Sequence, residues 1–353
     1  SITAEATKIN IQALFTEDPV IAIVDNGRGM TAAELQENMR IACKDPSQNR
    51  DSHDLGRFGS GMKTASFSVA RKLTVITKKN GEINACRYDI DLIEERNDWI
   101  IEILSQDKIN QILSSQKISL EASGTIILWE NMPRYNASQI HKKIHDEIAA
   151  DIASIRRYLA VFFHRFMSGK VKIQFMVNGD PVEPIDPFLR KEDGYQEGAY
   201  DRQIAQGGYI EMQVHILPHH DKISRELLER MGGADEIANK QGFYIYRGKR
   251  LIVEGGWLGL AKSSQLGKLA RIQVDIPTTM DDHWSTDVKK STFQYPSKIK
   301  ALFKKSIASP IKKSKRVYNY RGKVEEANDV WHINENEREE KISYMPNAEN
   351  ELL

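Results

Sequence analysis

Several features that narrow the class of a protein are scarce in this chain. It has two cysteines, Cys43 and Cys86, without paired spacing, which argues against a disulfide framework or a zinc ribbon and predicts a reducing, cytoplasmic compartment. Its apolar runs, such as IAIV and LAVFF, are far shorter than the roughly 18 residues that a bilayer span needs, and its first residues lack signal-peptide character. The net charge is +1, so any electrostatic partner site is local.

The 353 residues are enough for two or three domains, and their patterns predict an α/β protein. Residues 6–24 predict a hairpin, Thr31 begins a capping box that predicts a helix, and Asn80-Gly81 predicts a tight turn between two strands. Apolar residues recur every three or four positions over 138–168, which predicts a long helix. A second α/β unit is expected from residue 170 to about 300.

The stretch VIAIVDNGRGM ends a buried strand in an acid and two glycines, which are poor strand residues. Asp25 supplies a hydrogen-bond acceptor that an adenine amino group satisfies, and Gly27 and Gly29 allow a planar ligand to approach the backbone. The alternative is a simple turn, because Asp-Asn-Gly is good turn chemistry.

A glycine-rich segment, GRFGSGMKTASFS, follows and leads into a predicted helix. Gly56, Gly59 and Gly61 precede that helix, where free backbone N–H groups favour an anion, and Lys63 adds a cation. The segment lacks the Gly-Lys-Ser/Thr ending of a P-loop and the βαβ unit of a dinucleotide fingerprint. By itself it is a weak signal.

A third element, Gly124-Thr125 at the start of the strand GTIILWE, completes an ordered set. Asp-x-Gly-x-Gly, a polar segment, Gly-x-x-Gly-x-Gly-x-Lys and a late Gly-Thr together resemble the GHKL ATPases, which include gyrase B, the ninety-kilodalton heat-shock chaperones, MutL and the MORC proteins. The resemblance implies a Bergerat ATP-binding domain, an α/β two-layer sandwich over residues 1–135, that binds ATP with Mg²⁺ and hydrolyses it to ADP and phosphate.

The resemblance also implies a role for each motif residue. Asp25, with Thr125 and a bridging water, would receive the adenine amino group, and residues from about Cys43 to Arg57 would form a lid over the phosphates. The nucleotide-binding residues that it implies are Asp25, Gly27, Gly29, Met30, Gly56, Arg57, Phe58, Gly59, Ser60, Gly61, Met62, Lys63 and Thr125.

Family members carry a Glu that polarises the attacking water and, four residues later, an Asn that holds magnesium. In the matching register Ser1 directly follows that Asn, so neither residue is in the sequence, and Thr3 stands where an Asp is common. We expect the native protein to extend upstream; a nucleotide-binding pseudoenzyme and a wrong register stay open. No catalytic base or metal ligand is therefore assigned.

After a connecting helix at 136–169, residues 170–300 resemble the transducer domain of the MutL, gyrase and MORC groups, which has a left-handed βαβ crossover. The sequence GFYIYRGKRLIVEGGWLGL resembles its hairpin, and ARIQVDIPTTMDDHWSTDVKKS resembles the strand and loop that carry a lysine to the γ-phosphate. Lys289 or Lys290 is the expected sensor; the alternative is a pair of solvated lysines. The Trp and Asp before them favour a prokaryotic MORC-like protein over MutL.

The C-terminal extension, 301–353, divides by charge. Residues 301–323 hold eight Lys or Arg and no acid, whereas 324–353 hold nine acids and two bases. The basic stretch could follow a phosphate backbone or pair with the acidic tail. His219, His220 and Asp221 suggest a metal only faintly, and a surface turn is the favoured interpretation.

The resemblance implies a homodimer that closes on ATP binding as a clamp. The leading function is action on DNA, as in MORC-like or MutL-like proteins, with restriction or phage defence as a setting. The alternatives are a chaperone clamp on protein clients and a binding module without turnover. No membrane partner is expected.

Overall fold

Two compact units make up the chain. The computed structural model describes residues 1–14, 18–40, 61–136, 141–169, 171–205, 208–279, 297–325, 331–336 and 341–346. The first unit comprises 1–186, 247–251 and 277–279, and the second comprises 187–246, 252–276 and 280–353. Each described helix is too short or too polar to cross a bilayer.

The first unit is built on an eight-stranded sheet. Its strands are β1 Lys8–Leu14, β2 Val20–Asp25, β3 Lys72–Lys79, β4 Glu82–Asp89, β5 Glu102–Ile103, β6 Gly124–Glu130, β7 Gln174–Val177 and β8 Asp180–Pro181. Its helices are α1 Ala32–Met39, α2 Gly61–Phe67, α3 Ile90–Arg96, α4 Gln106–Ser115, α5 Pro133–Asn136, α6 His141–Phe162 and α7 His164–Met167. The strand order is β5-β4-β3-β6-β2-β1-β7-β8, and β1 runs parallel to β7 while the other described pairs are antiparallel.

The second unit contains a five-stranded sheet and a long helix. Its elements are β9 Gln196–Ala205, β10 Gly208–Ile216, α8 Arg225–Arg230, α9 Ala234–Asn239, β11 Gly242–Arg247, β12 Arg250–Glu254, β13 Ala270–Ile276, α10 Ser297–Glu325, β14 Trp331–Asn336 and β15 Lys341–Pro346. The sheet order is β12-β11-β13-β10-β9, and β14 and β15 form a separate hairpin. Apolar residues of β10, β13 and α10 share one core.

Alternation along the strands gives the first sheet two faces. Leu73 and Val75 of β3 pack with Leu35 and Met39 of α1, so that one face carries α1 together with parts of α2 and α3. The opposite face, which includes Ile76 of β3, packs against α4. We call the first of these the helical face, and the candidate site lies on it.

Most expected elements are confirmed. Thr31 and Glu34 form the capping box of α1, and Asn80 and Gly81 both have the positive φ that a tight hairpin requires. The expected helix over 138–168 is α6, followed by the short α7.

The helix α4 lies in a stretch for which no helix was predicted, and β5 has only two residues. After residue 170, β7 pairs with β1, and the first unit extends to Asp186.

The capping box of α1 makes a pH-dependent contribution to stability. The Lys79 ammonium donates to both Glu34 carboxylate oxygens, at 2.9 and 2.8 Å, and the Thr31 N–H donates at 2.7 Å. The hydrogen bond from Lys79, and then that from Thr31, lowers the pKa of Glu34 from its usual 4.5 to about 2. A lowered pKa in the folded state stabilises the fold above pH 4.5, and this stabilisation is lost as the pH falls from there towards 2.

Glu34→Gln should therefore lower the melting temperature at neutral pH and converge with the unmodified protein near pH 2. Thermal melts of both proteins across that range provide the measurement. Glu37→Gln, on the same helix, is the matched control. A Glu34→Gln deficit that stays constant down to pH 2 would contradict the assignment.

Candidate functional site

Strand register brings the sequence-predicted adenine residues together. Ile9, Asp25, Thr125 and Thr77 lie opposite one another on β1, β2, β6 and β3. Directly opposed residues share a face, and this row lies on the helical face because Thr77 alternates in phase with Val75 and Leu73. Asp25 and Thr125, a hundred residues apart in the chain, are therefore neighbours.

The Asp25 carboxylate is buried and held by hydrogen bonds. It is 5% exposed, Oδ2 accepts from Ser1 Oγ at 2.7 Å, and Oδ1 accepts from the Gly27 N–H at 2.9 Å. An ionised carboxylate has about four acceptor positions, so these two donors leave capacity for a further one. A donor such as an exocyclic amino group suits this position chemically.

Thr77, which no sequence motif singles out, connects the end of its own strand β3 to the turn after β2 and to the start of β6. Its Oγ1 accepts from the Met30 N–H at 2.8 Å and lies 3.1 Å from the Gly124 carbonyl and 3.4 Å from Thr125 Oγ1. The hydroxyl thus connects the Asp-x-Gly-x-Gly turn to the Gly-Thr strand. Its position opposite Thr125 was the only signal, and it is visible only once the register is known.

Two glycines are required by close backbone approaches. At Gly29, with φ +66°, a Cβ would lie 2.0 Å from the Lys78 carbonyl oxygen, and at Gly124, with φ +147°, it would lie 2.1 Å from the Asp25 carbonyl oxygen. A Cβ on Gly27 would meet the Ala4 carbonyl oxygen at 2.7 Å. The motif glycines therefore let the turn after β2 pack closely against its neighbours.

The side-chain amide of Asn26, the residue directly after Asp25, has a structural role. Its Oδ1 accepts from the backbone N–H groups of Thr7 and Lys8, at 2.9 and 2.8 Å. This holds the start of β1 against the end of β2. The side chain thereby fixes the strand end from which Asp25 projects.

The start of α2 is attached to both α1 and β6. Lys63 is 2% exposed, and its Nζ donates to the carbonyls of Asn38 and Arg40 at 2.7 and 2.6 Å, at the C-terminal end of α1. Ser66 Oγ accepts from Trp129 Nε1 at 2.8 Å. The positive charge of Lys63 thus stabilises the partial negative charge of the carbonyl groups at the C-terminal end of α1, as the helix dipole favours. The predicted contact of Lys63 with a phosphate stays a prediction.

Gly61 and Met62 begin α2 as the sequence predicted for the anion-binding end. Gly61 is exposed, and a Cβ there would meet no atom within 4 Å, whereas Met62 packs against the cluster around Leu35 and Met39. The other predicted phosphate-binding residues, Gly56, Arg57, Phe58, Gly59 and Ser60, lie outside the described residues. So do the predicted lid residues, Cys43 to Arg57, and the sensor lysines, Lys289 and Lys290.

Two cavities fit a nucleotide less well than the helical face. A cavity of about 200 Å³ is lined by Lys8, Asn10 and Gln12, which alternate with the residues of the helical face, and also by Asp25 itself. Its volume is below the roughly 300 Å³ at which ligand pockets begin. A cavity of about 420 Å³ in the second unit is lined by three carboxylates, including Glu197 and Asp275, against one guanidinium, and so disfavours phosphates.

His219, His220 and Asp221 lie together at a short turn. His219 Nδ1 and His220 Nε2 lie 3.1 and 3.0 Å from the two Asp221 oxygens, and one ligand atom from each residue falls within 4.8 Å of the others. Both the surface turn and the metal site stay predictions.

Comparison with known proteins agrees with this geometry. Residues 1–125 match the family model described as "Histidine kinase-, DNA gyrase B-, and HSP90-like ATPase". Chaperone protein HtpG of Halalkalibacterium halodurans is 37% identical over 81 residues, which cover 21% of this chain and 13% of that protein. HtpG of Bacillus licheniformis matches to the same extent, so the chain spans a small part of the length of these curated relatives.

Two solved structures also resemble the chain. The Aquifex aeolicus MutL ATPase domain complexed with ADP has a TM-score of 0.35 at 11% identity, covering 87% of this chain and 92% of that one. The N-terminal domain of a DNA repair protein has a TM-score of 0.49 at 15% identity, covering 90% and 92%. Both scores are below 0.5, so the assignment rests on the family match and the strand register. The N-terminal residues 1–125 therefore match a GHKL-type ATPase family model, and the described strands of the first unit have the α/β fold that this match implies.

Proposed function

We propose that the first unit binds ATP on its helical face, with Asp25 accepting the adenine amino group. The observation that carries this proposal is the row of Asp25, Thr125 and Thr77 across three neighbouring strands. Asp25 is an acceptor-only group that retains acceptor capacity, and Thr125 lies beside it, suited to a water-mediated contact with the base. The glycine-held turn at Gly29 brings backbone within reach of a planar ring.

The phosphates would be bound by the glycine-rich segment that leads into α2. Gly56, Arg57, Phe58, Gly59 and Ser60 would supply backbone N–H groups with Gly61 and Met62, and Lys63 would add positive charge. Mg²⁺ would neutralise the phosphate oxygens, and the protein would hydrolyse ATP to ADP and phosphate. Titration calorimetry with ATP, ADP and GTP tests the binding step. Adenine nucleotides should bind and GTP should not, since a guanine presents a carbonyl to Asp25.

The second unit would act as a transducer that senses the γ-phosphate through Lys289 or Lys290. A cation that contacts ATP but not ADP stabilises one arrangement of the two units and so couples hydrolysis to conformation. The Lys289→Ala/Lys290→Ala double variant should weaken ATP binding about tenfold while ADP affinity is unchanged, as expected for one lost charge-assisted contact. Equal loss for both nucleotides would contradict the sensor role.

The leading biological use is an ATP-gated homodimeric clamp acting on DNA in the cytoplasm. A chaperone clamp is the second candidate, and the 37% identity to HtpG over 81 residues favours it. ATP turnover in the presence of duplex DNA or of an unfolded protein separates them, because the bound client should accelerate the cycle. No stimulation by either would favour a nucleotide-dependent binding module.

A further inference from the structure

The exposed cations of helix α10 lie on one side because its other side is part of the core of the second unit. Ile299, Phe303 and Ile307 are buried, and the Phe303 ring stacks on Phe243 with centroids 4.8 Å apart. Further along, the Leu269 N–H donates to Ser314 Oγ at 3.3 Å. These contacts fix the rotation of α10 about its own axis.

The outer side of α10 is cationic over several turns. The exposed cations are Lys300, Lys304, Lys305, Lys312 and Arg316. At 100° and 1.5 Å per residue they lie within an arc of about 160° along about 24 Å of helix. The sequence from 297 to 324 contains no acid, so no carboxylate of α10 itself offsets this charge before Glu325.

Small residues separate these cations. The other exposed residues of the same stretch are Ala301, Ala308 and Ser309. Their side chains are short, so they do not project as far from the helix as the basic side chains around them. A phosphate backbone can therefore approach the helix closely while the lysines reach its charges. Lysine ammonium groups on flexible stems suit phosphate oxygens and carry no fixed geometry for reading bases.

The geometry points to α10 as a surface that binds the phosphate backbone of duplex DNA without sequence preference. This inference rests on the proposed function because it takes DNA as the partner. It goes beyond that function by naming the surface that contacts DNA and the way in which the contact is made. Four or five cations should release a matching number of counterions, so log K should fall against log salt with a slope of about −4.

The test is fluorescence anisotropy of the full chain with a labelled duplex of about 30 base pairs, between about 50 and 200 mM salt. Lys304→Glu/Lys312→Glu should weaken binding at least about 30-fold and make the slope shallower by about two, because two phosphate contacts are lost. Lys108→Glu/Lys191→Glu changes the net charge equally at two exposed positions elsewhere and should stay within about threefold.

The inference fails if the duplex does not bind at about 50 mM salt or if both double variants weaken it equally. It also fails if anionic lipid vesicles, rather than DNA, bind with this dependence on Lys304 and Lys312. ATP titration of Lys304→Glu/Lys312→Glu separates it from the nucleotide site. Unchanged ATP affinity with lost DNA binding supports α10, whereas loss of ATP affinity as well would assign the effect to misfolding.

Discussion

Asp25→Asn is expected to weaken ATP binding by about 100-fold or more, while the protein stays folded. Hydrogen bonds to a charged group contribute about 1.5–3 kcal/mol, and an asparagine amide would also turn a donor towards the adenine amino group or towards Ser1 Oγ. A loss of about 3 kcal/mol corresponds to a little over two powers of ten in affinity. Calorimetric titration of ATP into both proteins measures the effect.

The matched control is Asp98→Asn, which makes the same change at an exposed position in a loop of the first unit. ATP affinity should be unchanged there. Circular dichroism and melting temperature establish whether Asp25→Asn is folded. A folded Asp25→Asn protein that binds ATP as tightly as the Asp98→Asn protein would contradict the role of the carboxylate as adenine acceptor.

Gly29→Ala is expected to lower the free energy of unfolding by more than about 3 kcal/mol. Part of the cost is the left-handed conformation, about 1–2 kcal/mol for a residue with a Cβ. The rest comes from the Lys78 carbonyl oxygen, 2.0 Å from the position of that Cβ. Because this oxygen belongs to the backbone of β3, relief would require the strand end to move.

Gly81→Ala separates these two costs. Gly81 has a similar φ, +83°, but a Cβ there would meet no atom within 4 Å. Its variant should therefore lose only about 1 kcal/mol in urea unfolding, the conformational part alone. Equal destabilisation of the Gly29 and Gly81 variants would show that the close approach of a Gly29 Cβ to the Lys78 carbonyl oxygen does not contribute to the free energy of unfolding.

The sequence located the chemistry of the candidate site better than its supporting contacts. Asp25, Gly27 and Gly29 stand out because an acid at a strand end and glycines beside it are locally unusual, whereas the role of Thr125 was expected from the family resemblance. Thr77 could not, because a threonine in a strand is ordinary and its importance depends on antiparallel register. Register is set by pairing over long sequence separation, which no local pattern encodes.

Lys63 and α10 show how tertiary packing adds to a correctly noticed charge. A lysine in a glycine-rich segment predicts a phosphate ligand, but its two carbonyl partners come from the end of α1, more than twenty residues earlier in the chain. The basic stretch 301–323 was recognised as a patch, but no helix was predicted there, and the helix that carries it contains Pro310. The buried positions of α10 show that its exposed cations share one side.

The most direct test of the central claim is a crystal structure of the protein with a non-hydrolysable ATP analogue. We expect the adenine amino nitrogen about 3 Å from an Asp25 carboxylate oxygen on the helical face, with the phosphates directed towards the start of α2. Adenine bound away from Asp25, for example in the second-unit cavity lined by Glu197 and Asp275, would contradict it.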